Sequence, residues 1–449
     1  MRTASDSFGA LEIPDGVYYG ASTARAIENF NYISAKPMPR DFVLELLRIK
    51  KACAMVNKGK DLLEADKKDL ITEAVDFFMA MGKDNGPEFE RNFPISIFQT
   101  GSGTSTNMNV NECICGYIEM THNKTVHPND DVNMSQSSND VCPAALTMSF
   151  AKNIKNMVRT GLSQLISSFR NAAARNRNVV KIGRTHLMDA VPVTFGFVFD
   201  NYADLLETMK EEYTEEVYIH LGGTAVGNGL NAPKGFNTSV VRILNFLSVL
   251  KLEEGKPYQQ SYLLQAHKAA QYLSMLAGAL LKIAGDVRLM ASGPRSGLCE
   301  ITLQALQPGS SIMPGKVNPV ICESLTQVCF HVQGLSSSVE RASASGQFEL
   351  NTAIPLVANN LCEGITLLTA AMEKFAQQIS TLKVNKEHCQ NVLGRSLMLV
   401  TNLNSVCGYD QAAMIAKKAF EEDRLLKDVV VEILQISEEE ASRLLKPRV

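Results

Sequence analysis

One stretch of this sequence leaves little choice of fold, because its helical pattern is apolar on nearly every side: AAQYLSMLAGALLKIAGDVRLMA at residues 269–291. A helix with this pattern has to be buried on nearly every side. Helices this long that are buried all round occur in bundles, and a bundle can also be shared between subunits. The stretch therefore predicts a helical bundle.

Helical spacing of apolar residues dominates the rest of the chain as well. It covers residues 40–81 and 141–383, and shorter helical segments follow from residue 384. Ser437, followed by three glutamates, is typical of a helix N-terminus. Alternating strand patterns are scarce, so we predict an all-α fold. The polar stretch 82–140, rich in Asn, Ser and Thr, is typical of turns.

Length and charge narrow the class of protein. At 449 residues the chain is too long to fold around one simple hydrophobic core, so two or three domains are expected. A net charge of -3 gives no general attraction for nucleic acid or anionic membrane. The N-terminal residues lack the apolar core of a signal peptide, and no stretch approaches the uninterrupted apolar length of a membrane span. We therefore expect a cytoplasmic protein with neither nucleic acid nor membrane as partner.

The ten cysteines are scattered, and no two have the CxxC spacing typical of zinc or iron–sulfur sites. The closest pair, Cys113 and Cys115, has no second pair or histidine set nearby. We expect buried, reduced thiols and no metal site.

Two polar islands offer uncharged hydrogen-bonding groups. The first, QTGSGTSTNMN at residues 99–109, has glycines that permit close backbone approach and hydroxyls that suit a bound carboxylate. The second, HPNDDVNMSQSSND at residues 127–140, places Ser137 and Ser138 before a helical pattern, where free N–H groups favour an anion. A hydrophilic turn and simple helix capping explain the same residues, so both interpretations stay open.

Two further islands add ionisable groups. GRTHLMD at residues 183–189 contains His186, a residue type suited to shuttling protons, although a lone histidine beside apolar residues is also typical of a structural role. GSSIMPGKVNP at residues 309–319 is a loop with Lys316 and Asn318, followed by Glu323. The four islands together suit cofactor-free proton abstraction beside a carboxylate, with preorganised donors holding the negative charge.

These motifs resemble those of the fumarase/aspartase superfamily. The likeness covers nearly the whole chain. Five motifs follow one another in the same order as in the family: TGSGTSTNMN, HPNDDVNMSQSSND, GRTHLMDAVP, GGTAVGNGLN and GSSIMPGKVNP. The resemblance implies an all-helical subunit of three domains, at residues 1–137, 138–385 and 386–449. It also implies a homotetramer with a twenty-helix core, to which each subunit contributes a five-helix bundle, and active sites shared by three subunits.

The resemblance also implies roles for individual residues. Ser310 is expected to remove the C3 proton of the substrate, with its alkoxide stabilised by loop N–H groups and Lys316. His186, oriented by Glu323, is expected on the leaving-group side. Further residues are expected to bind the carboxylates and the aci-carboxylate intermediate: Ser102, Thr104, Ser105, Ser137, Ser138, Asn139, Thr185, Ser311 and Asn318. A second dicarboxylate site in one branch of the family is matched by His127, Asn129 and Asp130.

The resemblance leaves several substrates open. HPNDDVN, QSSND and RTHL favour hydration of fumarate to malate, whereas Ser105, NMSQ and DAVP favour elimination of ammonia from aspartate. Departures from the family pattern at Gly196–Val198 and Gln260–Tyr262 leave room for release of fumarate from another succinyl compound. A purely structural member is disfavoured because the expected catalytic residues are present. We predict reversible fumarate hydration by a carbon–oxygen lyase that needs no cofactor.

Overall fold

Helices make up most of the computed structural model, which describes residues 1–32, 36–84 and 86–447. The α-helices in these residues are α1 Ala21–Asn29, α2 Arg40–Gly59, α3 Ala65–Lys83, α4 Pro87–Asn92, α5 Thr104–His122, α6 Ser138–Met157, α7 Ser163–Arg175, α8 Phe195–Glu211, α9 Phe236–Leu247, α10 Leu264–Met290, α11 Val320–Ser343, α12 Ile354–Ser380, α13 Lys386–Arg395, α14 Asn404–Cys407, α15 Tyr409–Glu421, α16 Leu426–Leu434 and α17 Glu438–Leu444. The predicted all-α fold is confirmed.

Short strands form four separate two-stranded sheets in the described part of the chain. The strands are β1 Arg2–Asp6, β2 Gly9–Ile13, β3 Val180–Thr185, β4 Met188–Thr194, β5 Val217–Ile219, β6 Leu252–Glu254, β7 Ile301–Thr302 and β8 Lys383–Val384. The pairs β1–β2, β3–β4 and β7–β8 are antiparallel, and β5–β6 is parallel. The sheets are minor elements, and one of them, β3–β4, carries predicted site residues.

The chain divides into two compact units. Unit 1 comprises Met1–Val158, Glu212–Ala277 and Phe330–Leu368. Unit 2 comprises Arg159–Glu211, Gly278–Cys329 and Thr369–Val449. The three domains expected from the family resemblance, with their bounds, stay a prediction.

Unit 1 has an aromatic core beside its first helices. Tyr18, Phe77, Phe78 and Phe93 pack edge to face, with ring centroids 5.2–5.7 Å apart. Each such pair adds about 0.5–1.5 kcal/mol to the free energy gained from burial alone. This cluster joins the segment before α1 to α3 and to the residues after α4.

Unit 2 has two apolar clusters. Phe169 of α7 packs against Tyr202 of α8 and Phe375 of α12, with ring centroids 5.5 and 6.0 Å apart. A second cluster gathers apolar residues of the last helices around Ile182 of β3, which is 2% exposed. Through Ile182 the β3–β4 hairpin is therefore anchored in a hydrophobic core.

The apolar run at residues 269–291 forms most of α10, so the predicted helix is confirmed. α10 has 27 residues, and α11 and α12 have 24 and 27. Leu276, Leu280 and Ile283 of α10 are fully buried. Met275 and Leu289, in contrast, remain 47% and 46% exposed in the single chain. One chain therefore does not cover every side of this helix.

Among the described helices, α12 alone has the length and apolar composition to cross a membrane, and 56% of its most apolar 18-residue window is buried. Core helices of soluble proteins meet the same criteria. Because Leu361, Leu368 and Phe375 are almost completely buried, we interpret α12 as a core helix.

The structure corrects the expectation that residues 82–140 form turns, because α5 occupies Thr104–His122. Asn107, Asn109 and Asn111 are buried on this helix. Asn109 Nδ2 donates to the carbonyl of Asn92 at 2.9 Å, and Asn107 Nδ2 donates to Asn133 Oδ1 at 3.1 Å. These tertiary hydrogen bonds outweigh the poor helix propensity of asparagine.

Of two predictions about where helices begin and end, one is corrected and one is confirmed. The long helical pattern at residues 40–81 is interrupted, since α2 ends at Gly59 and α3 begins at Ala65. The predicted N-terminus at Ser437 is confirmed, because its side chain accepts a hydrogen bond from the N–H of Glu440.

All ten cysteines are free, and seven of them are buried. Burial raises the pKa of the Cys142 thiol to about 12 and that of Cys389 to about 11. The other three, Cys115, Cys299 and Cys407, are partly exposed. The buried thiols are therefore protonated near neutral pH.

A close backbone contact holds the first polar island in place. The N–H of Ile354 donates to the carbonyl of Gly101 at 3.0 Å. A Cβ atom at Gly101 would lie 1.8 Å from the carbonyl oxygen of Thr352. Only glycine fits this approach, as expected for the glycines of this island.

We expect Gly101→Ala to lower the free energy of unfolding by about 1–3 kcal/mol, because one of the two segments has to shift. Urea unfolding at fixed protein concentration measures this change. Gly59→Ala is the matched control: a Cβ there meets nothing within 4 Å, so its effect should stay within about 0.5 kcal/mol. Equal stability of the two variants would contradict the close-contact explanation.

Candidate active site

Unit 1 brings three predicted substrate-binding residues together in a chain of hydroxyls. Hydrogen bonds of 2.8 Å join Ser102 Oγ to Thr104 Oγ1, and Thr104 Oγ1 to Ser138 Oγ. Thr104 is the first residue of α5 and Ser138 is the first residue of α6. Two helix N-termini therefore meet at these hydroxyls. Free backbone N–H groups and the positive ends of the helix dipoles favour an anion at such a place.

Ser137 and Asn139 are fixed around the start of α6. Ser137 is the N-cap residue, and its side chain accepts from the N–H of Asn139. The N–H of Ser137 in turn donates to Asp140 Oδ1 at 3.0 Å, which completes a capping box. The prediction that Ser137 and Ser138 begin a helix is confirmed.

The motif GGTAVG at residues 222–227 is hydrogen-bonded to the first residues of α6. The N–H of Thr224 donates to Asp140 Oδ2 at 2.9 Å, and Asn139 Nδ2 donates to the carbonyl of Ala225 at 2.9 Å. Burial raises the pKa of the Asp140 carboxyl to about 6, although the backbone N–H groups of Ser137 and Thr224 oppose this shift. No role for this motif was predicted, and its hydrogen bonds to Asn139 and Asp140 hold the start of α6.

Ser105 lies outside the chain of hydroxyls. Its Oγ is 3.0 Å from Thr100 Oγ1, and its N–H donates to the same Thr100 oxygen at 2.9 Å. Ser105 therefore stabilises the turn that leads into α5.

The residues of the predicted second dicarboxylate site form a turn of their own. His127 Nδ1 accepts hydrogen bonds from the N–H groups of Asn129 and Asp130, at 3.3 and 3.0 Å. His127 thus caps the π-helical turn Pro128–Val132, and its side chain is 53% exposed. The second site stays a prediction.

A buried lysine beneath this region was missed in the sequence. Lys50 of α2 is completely buried, and its Nζ donates to Asn133 Oδ1 at 2.7 Å and Gln136 Oε1 at 3.0 Å. Burial lowers the pKa of Lys50 to about 8. Lys50 shares a helical stripe with Leu46, Cys53 and Asn57, so two polar residues on an apolar stripe were the available signal.

Unit 2 places Ser310 in a loop without helix or strand, as predicted. Ser310 Oγ accepts hydrogen bonds from the N–H groups of Ile312 and Met313, at 3.2 and 3.0 Å. Asn318 Nδ2 donates to the carbonyl of Gly309 at 2.8 Å, and the N–H of Gly309 donates to the carbonyl of Lys316 at 2.8 Å. These bonds close the loop upon itself.

Two further side chains of this loop point away from the protein interior. Lys316 and Ser311 are exposed. The Lys316 ammonium makes no ion pair with any of the described residues. Their predicted roles on a substrate stay predictions.

Thr185 and His186 lie at the tip of the β3–β4 hairpin, where the sequence indicated no strands. Thr185 pairs with Met188, so His186 and Leu187 form a two-residue turn. Both have positive φ, 55° and 62°, as in a type I′ turn. This left-handed conformation costs about 1–2 kcal/mol for a residue with a Cβ atom. Within the described chain, no hydrogen bond joins His186 to Glu323, so that pairing stays a prediction.

Two groups of predicted residues therefore stand out, in different units of the chain and apart from the hairpin tip that carries Thr185 and His186. Ser102, Thr104 and Ser138 are in contact in unit 1, whereas Ser310 and Asn318 share a loop of unit 2. Among the described residues, no three His, Cys, Asp or Glu side chains are grouped to hold a metal ion. These two groups of residues offer a substrate hydroxyls, amides, N–H groups and one lysine.

Two protein families match this chain. The family described as lyase matches residues 9–334, and the fumarase C C-terminus matches residues 399–449. Together the two matches cover most of the chain and include both groups of candidate residues.

Individual relatives cover the chain almost completely. The class II fumarate hydratase of Thermosynechococcus vestitus is 41% identical over an alignment of 461 positions, which covers 98% of this chain and 96% of the relative. That of Chlamydia caviae is 39% identical, covering 100% and 98%. The crystal structure of a class II fumarase from Schistosoma mansoni matches with a TM-score of 0.92 at 34% identity, over 99% and 98% of the two chains. The chain belongs to the fumarase/aspartase superfamily of lyases.

Proposed function

We propose that this carbon–oxygen lyase interconverts fumarate and malate. The observation that carries the proposal is the near-complete match to relatives named class II fumarate hydratase, at 38–41% identity. The site residues expected for this chemistry are all present, and they need no bound cofactor to hold or move a proton.

Ser310 is the proposed base. The N–H groups of Ile312 and Met313 already point at its Oγ, and they would stabilise the alkoxide that has to take the C3 proton of malate. The exposed Lys316 ammonium is on the same loop and adds positive charge. Removal of the C3 proton leaves an aci-carboxylate, which expels the C2 hydroxyl as water when a proton arrives from the His186 side. Hydration of fumarate follows the same steps in reverse.

The hydroxyl chain of unit 1 is the proposed carboxylate site. Ser102, Thr104 and Ser138 can each donate a hydrogen bond, and the N-termini of α5 and α6 add N–H groups and positive dipole ends. An aci-carboxylate carries one more negative charge than the substrate carboxylate. Such donors therefore bind the intermediate more tightly than the ground state, which is what lowers the barrier.

We further propose a cytoplasmic homotetramer whose sites combine residues of three subunits. Apolar side chains on the long helices support assembly: Met275, Leu289 and Phe330 are 46–61% exposed in the single chain. Large apolar side chains left exposed on long helices are typical of subunit interfaces. The three-domain subunit, with a central bundle at residues 138–385, belongs to the same proposal.

Fumarate consumption tests the function directly. We expect the purified protein to consume fumarate in buffer alone, with loss of its ultraviolet absorbance and formation of malate. Added ammonium should change neither the rate nor the product. Consumption that requires ammonium would instead identify an ammonia-lyase, and no consumption in either buffer would refute both activities.

Mixing of inactive variants tests the shared site. Ser310→Ala and Ser138→Ala should each reduce activity by about 100-fold or more. If the two residues act from different subunits, co-refolded mixtures should regain up to roughly a quarter of the sites. Ser310→Ala mixed with Lys316→Met is the control, because both changes affect one loop and no mixture restores it. Equal recovery in the two mixtures would contradict the shared site.

A further inference from the structure

The turn that carries His186 is held in a form its own residues do not favour. Type I′ turns normally contain Asn or Gly, because both central residues need positive φ. Here the two positions are His186 and Leu187, and the Leu187 side chain is 74% exposed. The Leu187 side chain therefore does not hold the turn by burial. Other contacts of the hairpin have to supply the energy that keeps this backbone in place.

The hairpin is irregular just before the turn. Its register shifts between Ile182 and Arg184, so β4 contains one extra residue there. Gly183 lies at the shift, and a Cβ atom on it would be 2.4 Å from the carbonyl oxygen of Val191. A bulge of this kind changes the direction of the strands that follow. The orientation of Thr185 and His186 consequently depends on how the residues below the bulge are fixed.

A buried carboxylate fixes those residues. Glu300 pairs through Oε2 with Lys181 Nζ at 3.1 Å, and through Oε1 with Arg184 Nη1. The side chains of Glu300, Lys181 and Arg184 are only 5%, 8% and 15% exposed. Lys181 precedes the bulge and Arg184 follows it. One carboxylate therefore links both sides of the irregular register in a poorly solvated place, where charge pairing is strong.

The backbone of Glu300 is hydrogen-bonded through both its N–H and its carbonyl. Its N–H donates to the carbonyl of Met290 at 2.8 Å, and its carbonyl accepts from the N–H of Asn385 at 2.9 Å. These backbone bonds join it to the end of α10 and to the segment before α13. These bonds restrain the position of Glu300, and its carboxylate can therefore position the hairpin through Lys181 and Arg184.

We propose that Glu300 is a positioning residue for the lyase reaction, which holds Lys181 and Arg184 so that the hairpin turn presents Thr185 and His186 in their working orientation. This inference rests on the proposed roles of Thr185 and His186. Glu300 does not touch the substrate. It acts through the strained turn, whose geometry it determines.

The test is Glu300→Gln, which keeps the shape of the side chain and removes its charge. We expect kcat for fumarate hydration to fall on the order of 100-fold, because a displacement of about 1 Å at a catalytic group has that effect. KM should change much less. Hydrogen exchange should accelerate at the amides of residues 180–194 and stay unchanged in α7 and α8.

A second substitution separates positioning from general loss of stability. Leu187→Gly removes the cost of positive φ at one turn residue, so it should restore part of the lost kcat in the Glu300→Gln background. A variant whose only defect is lower stability would gain nothing specific from this change. Absence of any recovery would count against the strained turn as the point of action.

Two further variants keep the test decisive. Asp200→Asn is the matched control, because Asp200 pairs with Arg170 and Arg177 in the same unit, and neither arginine belongs to the hairpin. If Glu300→Gln does not fold, Arg184→Met leaves Lys181 paired with Glu300 and should give the same changes more weakly. Effects on kcat and exchange no larger than those of Asp200→Asn would overturn the proposal.

The exchange experiment is independent of the assigned reaction. If the wild-type protein does not consume fumarate, the proposed function fails, while faster exchange confined to residues 180–194 in Glu300→Gln still supports the clamp. If fumarate is consumed and Glu300→Gln has wild-type kcat and exchange, the function stands and the positioning role is refuted.

Discussion

A charge inside a protein has to be held by fixed partners, and two buried charges of this chain meet that constraint beside segments that carry candidate site residues. In unit 1, the buried ammonium of Lys50 donates to the side-chain amides of Asn133 and Gln136, which orders the loop before Ser137. In unit 2, the buried carboxylate of Glu300 holds Lys181 and Arg184. Loss of either ion would leave unpaired polar groups in a poorly solvated interior, which is costly. The polar segments thereby acquire a single conformation without regular secondary structure.

The two groups of candidate residues, around Ser138 and around Ser310, are built differently. Around Ser138 the structure gathers neutral hydroxyls and two helix ends, a combination that favours negative charge. Around Ser310 it directs backbone N–H groups at one hydroxyl oxygen. The first arrangement suits recognition of a carboxylate, and the second suits a weak base that has to become an anion. The proposed hydration of fumarate needs both.

Much of this was predictable from local sequence. The apolar period predicted α10, the Ser-Glu pattern predicted the start of α17, and glycine with proline predicted the Ser310 loop. Three features were not predictable, because distant partners determine them. α5 is helical since its asparagines find buried acceptors, and the turn at His186 exists since the hairpin below it is clamped. Glycine at position 101 predicted a close backbone approach, but its partner Thr352 lies about 250 residues away, and no local pattern identifies it.

The distribution of thiols has a practical consequence. Seven cysteines are shielded by burial, whereas Cys299 is partly exposed and immediately precedes Glu300. Asn385 Nδ2 donates to the Cys299 carbonyl at 2.7 Å, so this backbone is as well anchored as its neighbour. A fluorophore attached at Cys299 would therefore sit beside the carboxylate that holds the hairpin. Cys299 is thus a native position for attaching a spectroscopic reporter. The other partly exposed thiols, Cys407 and Cys115, would have to be replaced so that Cys299 alone reacts.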